Sequence, residues 1–232
     1  MLNGKGNRFG LLVGLLILVF IFGAGSVRAD TLYVPSPSYP TIEDAIFAAN
    51  PGDTIEVDGG LYGPLIEIDK DIEIVSAPGG NPAIIGYPMG VFVPAEGSGS
   101  KLEGFTFPGG LVGIALTGLS SEALDAGDVG SLFDNPVENV EIYSNEVLGN
   151  IVGIGLLNAK NNHIGSADED WSGNLIRDNG IGVGLIGIDQ IILPEEISNS
   201  LPFPIPSSLP VENNYIEGND IDNNTIGVGL LG

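Results

Sequence analysis

Apolar and polar residues alternate along several short stretches in the C-terminal half of the chain. The clearest stretches belong to three segments that superpose without gaps, Asn145 to Leu157, Asn174 to Ile186 and Asn219 to Leu231. Each segment contains two asparagines and ends in the pattern Val/Ile-Gly-Val/Ile-Gly-Leu-Leu/Ile. Because side chains of a strand point alternately to opposite faces, each stretch predicts a short β-strand.

The three segments are parts of a longer repeat. Their upstream halves, at 137–142, 159–164 and 211–216, also align, and the first two copies start 22 residues apart. The next copy starts 52 residues later, which leaves room for insertions at 166–172 and within 187–210. A repeat of this length without room for a helix predicts a solenoid with one three-stranded coil per repeat. We therefore expect an all-β fold, a right-handed parallel β-helix.

The alternation also predicts which side chains form the core. We expect three inward rows, which are Val152, Ile181 and Ile226; Ile154, Val183 and Val228; and Leu156, Leu185 and Leu230. The outward rows are then Gly153, Gly182 and Gly227; Gly155, Gly184 and Gly229; and Leu157, Ile186 and Leu231. The turn asparagines are expected to stack into ladders and to adopt the left-handed backbone of the corners. An outward strip this apolar predicts a cover, either the insertion at 187–210 or a partner.

A short helix is predicted near the start of the repeats. Thr41 is a suitable N-cap, the apolar face consists of Ile42, Ala45, Ile46 and Ala49, and Pro51-Gly52 ends the helix. The segment from Tyr39 to Tyr62 resembles the N-terminal segment of pectin-lyase-like β-helix proteins, a superfamily that includes pectinesterases and NosD-like proteins with parallel β-helix repeats. The resemblance implies one β-helix domain over 30–232, in which residues 30–52 cap the first coil.

The first 29 residues have the features of a signal peptide. Lys5 and Arg8 precede an apolar run from Leu11 to Phe22, and Val27-Arg28-Ala29 provides a small-residue cleavage pattern. The run is shorter than the roughly 18 to 20 apolar residues of a membrane-spanning helix. We expect the mature chain to be secreted, periplasmic or on the cell surface, without a transmembrane span. A retained N-terminal anchor is the alternative.

Residues 30–232 are strongly acidic, with 4 basic and 30 acidic residues and hence a formal charge of −26. A chain of this charge is repelled by phosphate backbones, which excludes nucleic acid as a partner, and it attracts soluble cations. The chain has no cysteine, so an exported fold must be held together by burial and hydrogen bonding.

Arg177 is the candidate catalytic residue. Pectate lyases of the resembled superfamily use a basic residue, usually Arg, as proton acceptor beside carboxylates that hold calcium. Arg177 follows the inward Ile176 and is expected to point outward over Asp222 of the next coil. The alternative is a surface ion pair between Arg177 and Asp222. We find no counterpart of the pectinesterase residues, and His163 with Met89 does not predict a copper site.

The insertion at 166–172 is the candidate ligand site. Asp168, Glu169 and Asp170 immediately precede Trp171, the only tryptophan of the chain. Carboxylate oxygens suit calcium, the candidate cofactor, and an exposed indole face suits a sugar ring. A solvated loop without a ligand is the alternative.

The outward rows of the Gly-x-Gly strands carry no acid or base. We therefore expect a non-catalytic, secreted or envelope-associated β-helix that binds polysaccharide or acts as a surface or assembly module. The alternative is a polysaccharide-modifying enzyme, a uronate lyase or epimerase that uses Arg177 or a Lys with calcium. A third hypothesis is self-association, because the last repeat stops at Leu231-Gly232 and leaves an open strand edge unless the sequence is truncated.

Overall fold

The computed structural model describes residues 28–128, 130–166, 173–188 and 208–231. Within these ranges the protein is an all-β structure of largely parallel strands, with helices α1 at Ile42–Ala48 and α2 at Ser121–Ala126 and a 3-10 helix at Ala95–Gly97. The first ten strands are β1 Thr31–Val34, β2 Thr54–Val57, β3 Gly60–Tyr62, β4 Ile66–Glu67, β5 Glu73–Ser76, β6 Pro82–Ile84, β7 Met89–Val93, β8 Lys101–Glu103, β9 Thr106–Thr117 and β10 Val137–Glu138. The next ten are β11 Glu141–Tyr143, β12 Glu146–Leu157, β13 Ala159–Lys160, β14 His163–Gly165, β15 Leu175–Arg177, β16 Ile181–Ile186, β17 Val211–Glu212, β18 Tyr215–Glu217, β19 Asp220–Asp222 and β20 Ile226–Leu231.

The described strands form three parallel sheets. A seven-stranded sheet has the order β1-β2-β5-β8-β11-β14-β18, and a small sheet has the order β10-β13-β17. In the third sheet, the long strands β9 and β12 each pair through their two halves with different neighbours, so that β12 contacts both β15 and β16. The chain returns to the same sheets repeatedly, and successive strands stack side by side. This stacking is compatible with a β-helix or a related solenoid.

The strand register confirms the alignment of the repeats. Three of the predicted rows are hydrogen-bonded neighbours in the sheets, namely Val137, Ala159 and Val211; Ile142, Ile164 and Ile216; and Val147, Ile176 and Ile221. The 52-residue spacing leaves this register unchanged, which confirms that the additional residues lie between strands.

The inward side chains of the sheets form one hydrophobic cluster. Ile154, Leu156 and Val183 belong to it, as predicted, and the rings of Phe105 and Phe107 pack with their centroids 6.5 Å apart. Val228 and Leu230 continue the same rows in β20 but are largely exposed, because they lie in the last described coil and are covered on one side only.

The prediction that Val152, Ile181 and Ile226 point inward is wrong. Gly153 and Ile154 are both buried, so two consecutive residues face the core and the alternation breaks. A Cβ at Gly153 would lie 2.6 Å from the carbonyl oxygen of Gly182, a distance at which no side chain fits. Val152 lies instead on the outer side, where its Cγ1 would be 3.7 Å from a Cβ at Gly155.

The turn asparagines form ladders, as predicted. Asn145 donates from its backbone N–H and from Nδ2 to Oδ1 of Asn174, both at 3.1 Å, and Asn174 donates in the same way to Asn219. Two further ladders connect Asn150, Asn179 and Asn224, and Asn162 and Asn214.

The expectation that the ladder asparagines themselves adopt the left-handed backbone is wrong. Positive φ angles occur in the residues that precede them, which are Ser144, Asn161, Asp178, Asn213 and Asn223. Each corner thus uses two consecutive residues, one to reverse the chain and the next to bond the neighbouring coil.

Helix α1 is held at both ends. Thr41 and Asp44 form a capping box, in which Oγ1 of Thr41 accepts from the N–H of Asp44 at 3.1 Å. At the other end, Nζ of Lys70 donates to the carbonyl oxygen of Ile46 at 2.9 Å, a favourable position for a cation. The buried face of the helix, Ile42, Ala45 and Ile46, belongs to the core cluster.

Asp53 fixes the turn after α1. Its side chain is buried and accepts hydrogen bonds from the N–H groups of Asp30 and Asn50, both at 2.8 Å. These two bonds lower the pKa of the Asp53 carboxyl.

Several predicted segments lie outside the described residues, including most of the signal peptide and most of both insertions. At the ends of the second insertion, Ile188 and Leu209 form an antiparallel bridge, and Leu209 is buried. In the described part of the chain, no helix has the length and apolar character needed to span a membrane.

Candidate functional site

The outward side of the seven-stranded sheet carries two rows of polar and aromatic residues. They alternate with buried residues such as Leu32, Ile74 and Ile142, so the strand geometry directs them to solvent. The first row is Thr31, Thr54, Glu73, Lys101, Glu141, His163 and Tyr215. The second row is Tyr33, Glu56, Val75, Glu103, Tyr143, Gly165 and Glu217. We call these two rows the polar face.

Lys101 lies at the centre of the polar face. Its Nζ is 3.0 Å from Oε1 of Glu73 and 3.7 Å from Oε2 of Glu141, one strand away on either side. The hydrogen bond with Glu73, together with the negative charge of Glu141, raises the pKa of Lys101 against the effect of partial burial. Lys101 therefore remains an ammonium ion and is not a base near neutral pH.

Tyr143 lies next to this charge cluster. Partial burial raises the pKa of its phenol, and the negative charge of Glu103 with the hydrogen bond between the two side chains raises it further. Tyr143 is therefore a neutral phenol that donates a hydrogen bond to Glu103.

The aromatic residues of the polar face stand at its two ends. The rings of His163 and Tyr215 stack with centroids 4.5 Å apart and an interplanar angle of 16°. Tyr215 is 50% exposed, and Tyr33, on the first strand of the sheet, is 57% exposed. Both tyrosines thus offer ring surface to a ligand.

Arg177, the candidate catalytic residue, lies on another sheet. It pairs in register with Leu148 and Asp222, as predicted. The expected ion pair with Asp222 is wrong, however, because the guanidinium Nη2 contacts Oε1 of Glu146 at 2.6 Å. That carboxylate is two residues back on the preceding coil, and its contact engages the guanidinium.

The acidic insertion falls outside the described residues, so Asp168, Glu169, Asp170 and Trp171 remain predictions. Among the residues that the structure describes, no group of three or more His, Cys, Asp or Glu side chains is arranged to hold a metal ion.

A cleft of about 450 Å³ lies between the 3-10 helix, α2 and β10. Glu96 lines it, and its carboxylate accepts from the hydroxyl of Ser120 and from the N–H groups of Ser121 and Glu122 at 3.2 and 3.3 Å. Burial opposes the ionisation of Glu96, but these hydrogen bonds outweigh it and lower its pKa. The carboxylate thus anchors the start of α2.

The outward side of the strands that contain the Gly-x-Gly pattern differs from the polar face. Its rows are Val112, Val152 and Ile181; Ala115, Gly155 and Gly184; and Thr117, Leu157 and Ile186. We call these rows the apolar face. It carries no titratable side chain, as expected from the sequence, although the valine and isoleucine row replaces the predicted glycine row.

Sequence reasoning identified one position of the polar face. His163 was assigned to a variable, outward slot between Glu141 and Tyr215, and the structure confirms that placement. Following the same slot upstream would have led to Lys101 and Glu73, but their copies are separated by 28 and 40 residues and do not align by eye.

No family model, no curated protein and no solved structure matches the chain. Its function is therefore inferred from the geometry and chemistry of the polar face.

Proposed function

We propose that the protein is a right-handed parallel β-helix of the pectin-lyase-like kind that is exported and binds polysaccharide along its polar face without cleaving it. The observation that carries this proposal is the pair of continuous rows on seven adjacent parallel strands, with aromatic rings at both ends and hydrogen-bonding groups between them. The β-helix architecture is supported by the repeated return of the chain to the same sheets. Helix α1, with its buried apolar side on the first strands, is suited to cap them.

The spacing of the face suits a linear polymer. Neighbouring strands are about 4.8 Å apart, so equivalent side chains recur at a regular interval along the stack. A chain of sugar rings laid across the strands meets a hydrogen-bonding group at each step, and the rings of Tyr33 and Tyr215 offer stacking surfaces near the ends. Many weak contacts of this kind give affinity to an extended ligand.

The chemistry of the face favours binding over catalysis. General acid or base catalysis requires a group whose pKa lies near the working pH. The pKa shifts of Lys101 and Tyr143 both move these groups further from neutrality. Arg177, the base considered for a uronate lyase or epimerase, contacts Glu146 and lies on a different sheet.

The proposal is tested by measuring binding of the purified protein to immobilised polysaccharides, with Tyr215→Ala as the variant. Loss of the exposed ring should weaken binding roughly five- to tenfold. Tyr87→Ala is the matched control, because Tyr87 is 74% exposed but lies outside the polar face, and its affinity should equal that of the wild type. Absence of binding to every polysaccharide would refute the proposal.

The same samples test the absence of cleavage. Incubation with polyuronates should release no unsaturated products that absorb in the ultraviolet. Their appearance would replace binding by lyase activity, and Arg177→Ala would then show whether the guanidinium takes part.

A further inference from the structure

We propose that the polysaccharide bound by the polar face is uncharged, and that polymers of uronic acids are excluded. This inference rests on the proposed function and specifies the class of ligand. It follows from how the charges of the face and of the whole chain are paired.

The polar face has an excess of negative charge. Its two rows contain five carboxylates and a single Lys or Arg, which is Lys101; the carboxylates are those of Glu56, Glu73, Glu103, Glu141 and Glu217. A polyuronate laid along these rows would bring its own carboxylates close to this set. Like charges placed opposite each other across an interface are strongly unfavourable.

No basic side chain of residues 30–232 is free to compensate. The stretch contains four basic residues, all of them described, and each already contacts an oxygen of the protein. The contacts are Lys70 with the carbonyl of Ile46, Lys101 with Glu73 and Glu141, Lys160 with Glu212, and Arg177 with Glu146. A uronate that bound Lys101 would displace Glu73 or Glu141 and leave that carboxylate unpaired beside it.

A neutral sugar polymer avoids this conflict. Its hydroxyl groups can donate to the carboxylate oxygens of the face without separating Lys101 from its partners, because a carboxylate accepts several hydrogen bonds. Charge-assisted bonds of this kind are stronger than bonds between neutral groups. A cationic polymer, in contrast, is attracted by the acidic molecule as a whole, so its binding would not be confined to this face.

The experiment compares matched polymers on the purified full chain. A panel of neutral polysaccharides and polyuronates is immobilised, and the neutral polymer that binds best is then oxidised at its primary alcohols to give a uronate with the same backbone. We expect oxidation to weaken binding by at least about tenfold at low ionic strength. Added calcium should not restore it.

The outcomes separate this inference from the proposed function. Equal or tighter binding of the oxidised polymer or of any polyuronate in the panel, with or without calcium, overturns the inference and leaves polysaccharide binding intact. Failure of all polymers to bind overturns both.

A pair of variants tests the pairing of Lys101 directly. Glu73→Gln weakens the hold on the ammonium, so the ratio of uronate to neutral-polymer affinity should rise several-fold. Glu146→Gln removes the same charge beside Arg177, on another sheet, and should leave that ratio unchanged. An equal rise in both variants would mean that net charge, and not the polar face, sets the preference.

Discussion

The polar face and the apolar face are built by the same strand stacking, yet they differ in what they expose. On the polar face, each outward position varies from coil to coil, as in the row Glu73, Lys101, Glu141, His163 and Tyr215. On the apolar face, the equivalent positions hardly change, as in Val112, Val152 and Ile181. The inner side of both faces is equally conservative. The comparison shows that regularity in this chain marks packing, whereas chemistry lies where the repeat is irregular.

The inner glycine row beneath the apolar face gives the largest expected effect. Gly153→Val places a side chain where a Cβ would already lie 2.6 Å from the carbonyl of Gly182. We expect a loss of about 3 kcal/mol in the free energy of unfolding, measured by denaturant titration. Gly155→Ala on the outer side, where the nearest atom is 3.7 Å away, should change it by less than about 0.5 kcal/mol. Equal losses would contradict the inward assignment of Gly153.

The asparagine ladders should give the second largest effect. Asn179 accepts from Asn150 and donates to Asn224 and to the carbonyl of Val147. Asn179→Ala leaves these buried groups without partners, which should cost about 2 kcal/mol in the same measurement. Asn81→Ala, at an exposed position, serves as the comparison and should be nearly neutral. A neutral Asn179→Ala would mean that the ladder adds little to the backbone pairing.

A pH series separates the carboxylates that hold the fold from those of the polar face. Hydrogen bonds from Asp30 and Asn50 lower the pKa of Asp53 in the folded protein below the unfolded value of about 3.9. The resulting stability is present above that value and is lost as the pH falls through the folded pKa. We expect Asp53→Asn to cost about 1.5 kcal/mol at pH 7 and progressively less under acid conditions, followed by thermal unfolding. Asp58→Asn, at an exposed position, should show no such convergence.

The smallest effect is expected at Arg177. Its ion pair with Glu146 joins two partly exposed side chains, so Arg177→Ala should cost less than about 1 kcal/mol, and the loss should shrink further at high salt. Polysaccharide binding should not change, because the residue lies off the polar face. A large loss of binding would move the functional site to the third sheet.

The sequence predicted the features that depend on local repetition. The stacking of Asn145, Asn174 and Asn219, and the N-cap at Thr41, follow from side chains that bond the backbone in a fixed local pattern. The position of Val152 was not predictable from alternation, because Gly153 and Ile154 both face the core and shift the parity of what precedes them.

The candidate site was harder to predict for a different reason. The pairing of Arg177 with Glu146 depends on side-chain reach along a diagonal, which the register alone does not determine. The polar face depends on bringing Lys101 next to Glu73 and Glu141 across segments of unequal length. Sequence spacing hides such neighbours, whereas strand pairing makes them adjacent.

The tolerance of the register to insertions has a consequence for how such a molecule can grow. The copies that contain β11 and β14 are separated by 22 residues, and β18 follows 52 residues later, yet all three lie side by side in one sheet. A duplication of one 22-residue unit would therefore extend each row by one position, about 4.8 Å, without disturbing the others. The polar face behaves as a ruler graduated in gene-segment copies, and the length of polymer it spans could be changed by recombination before any single residue is altered.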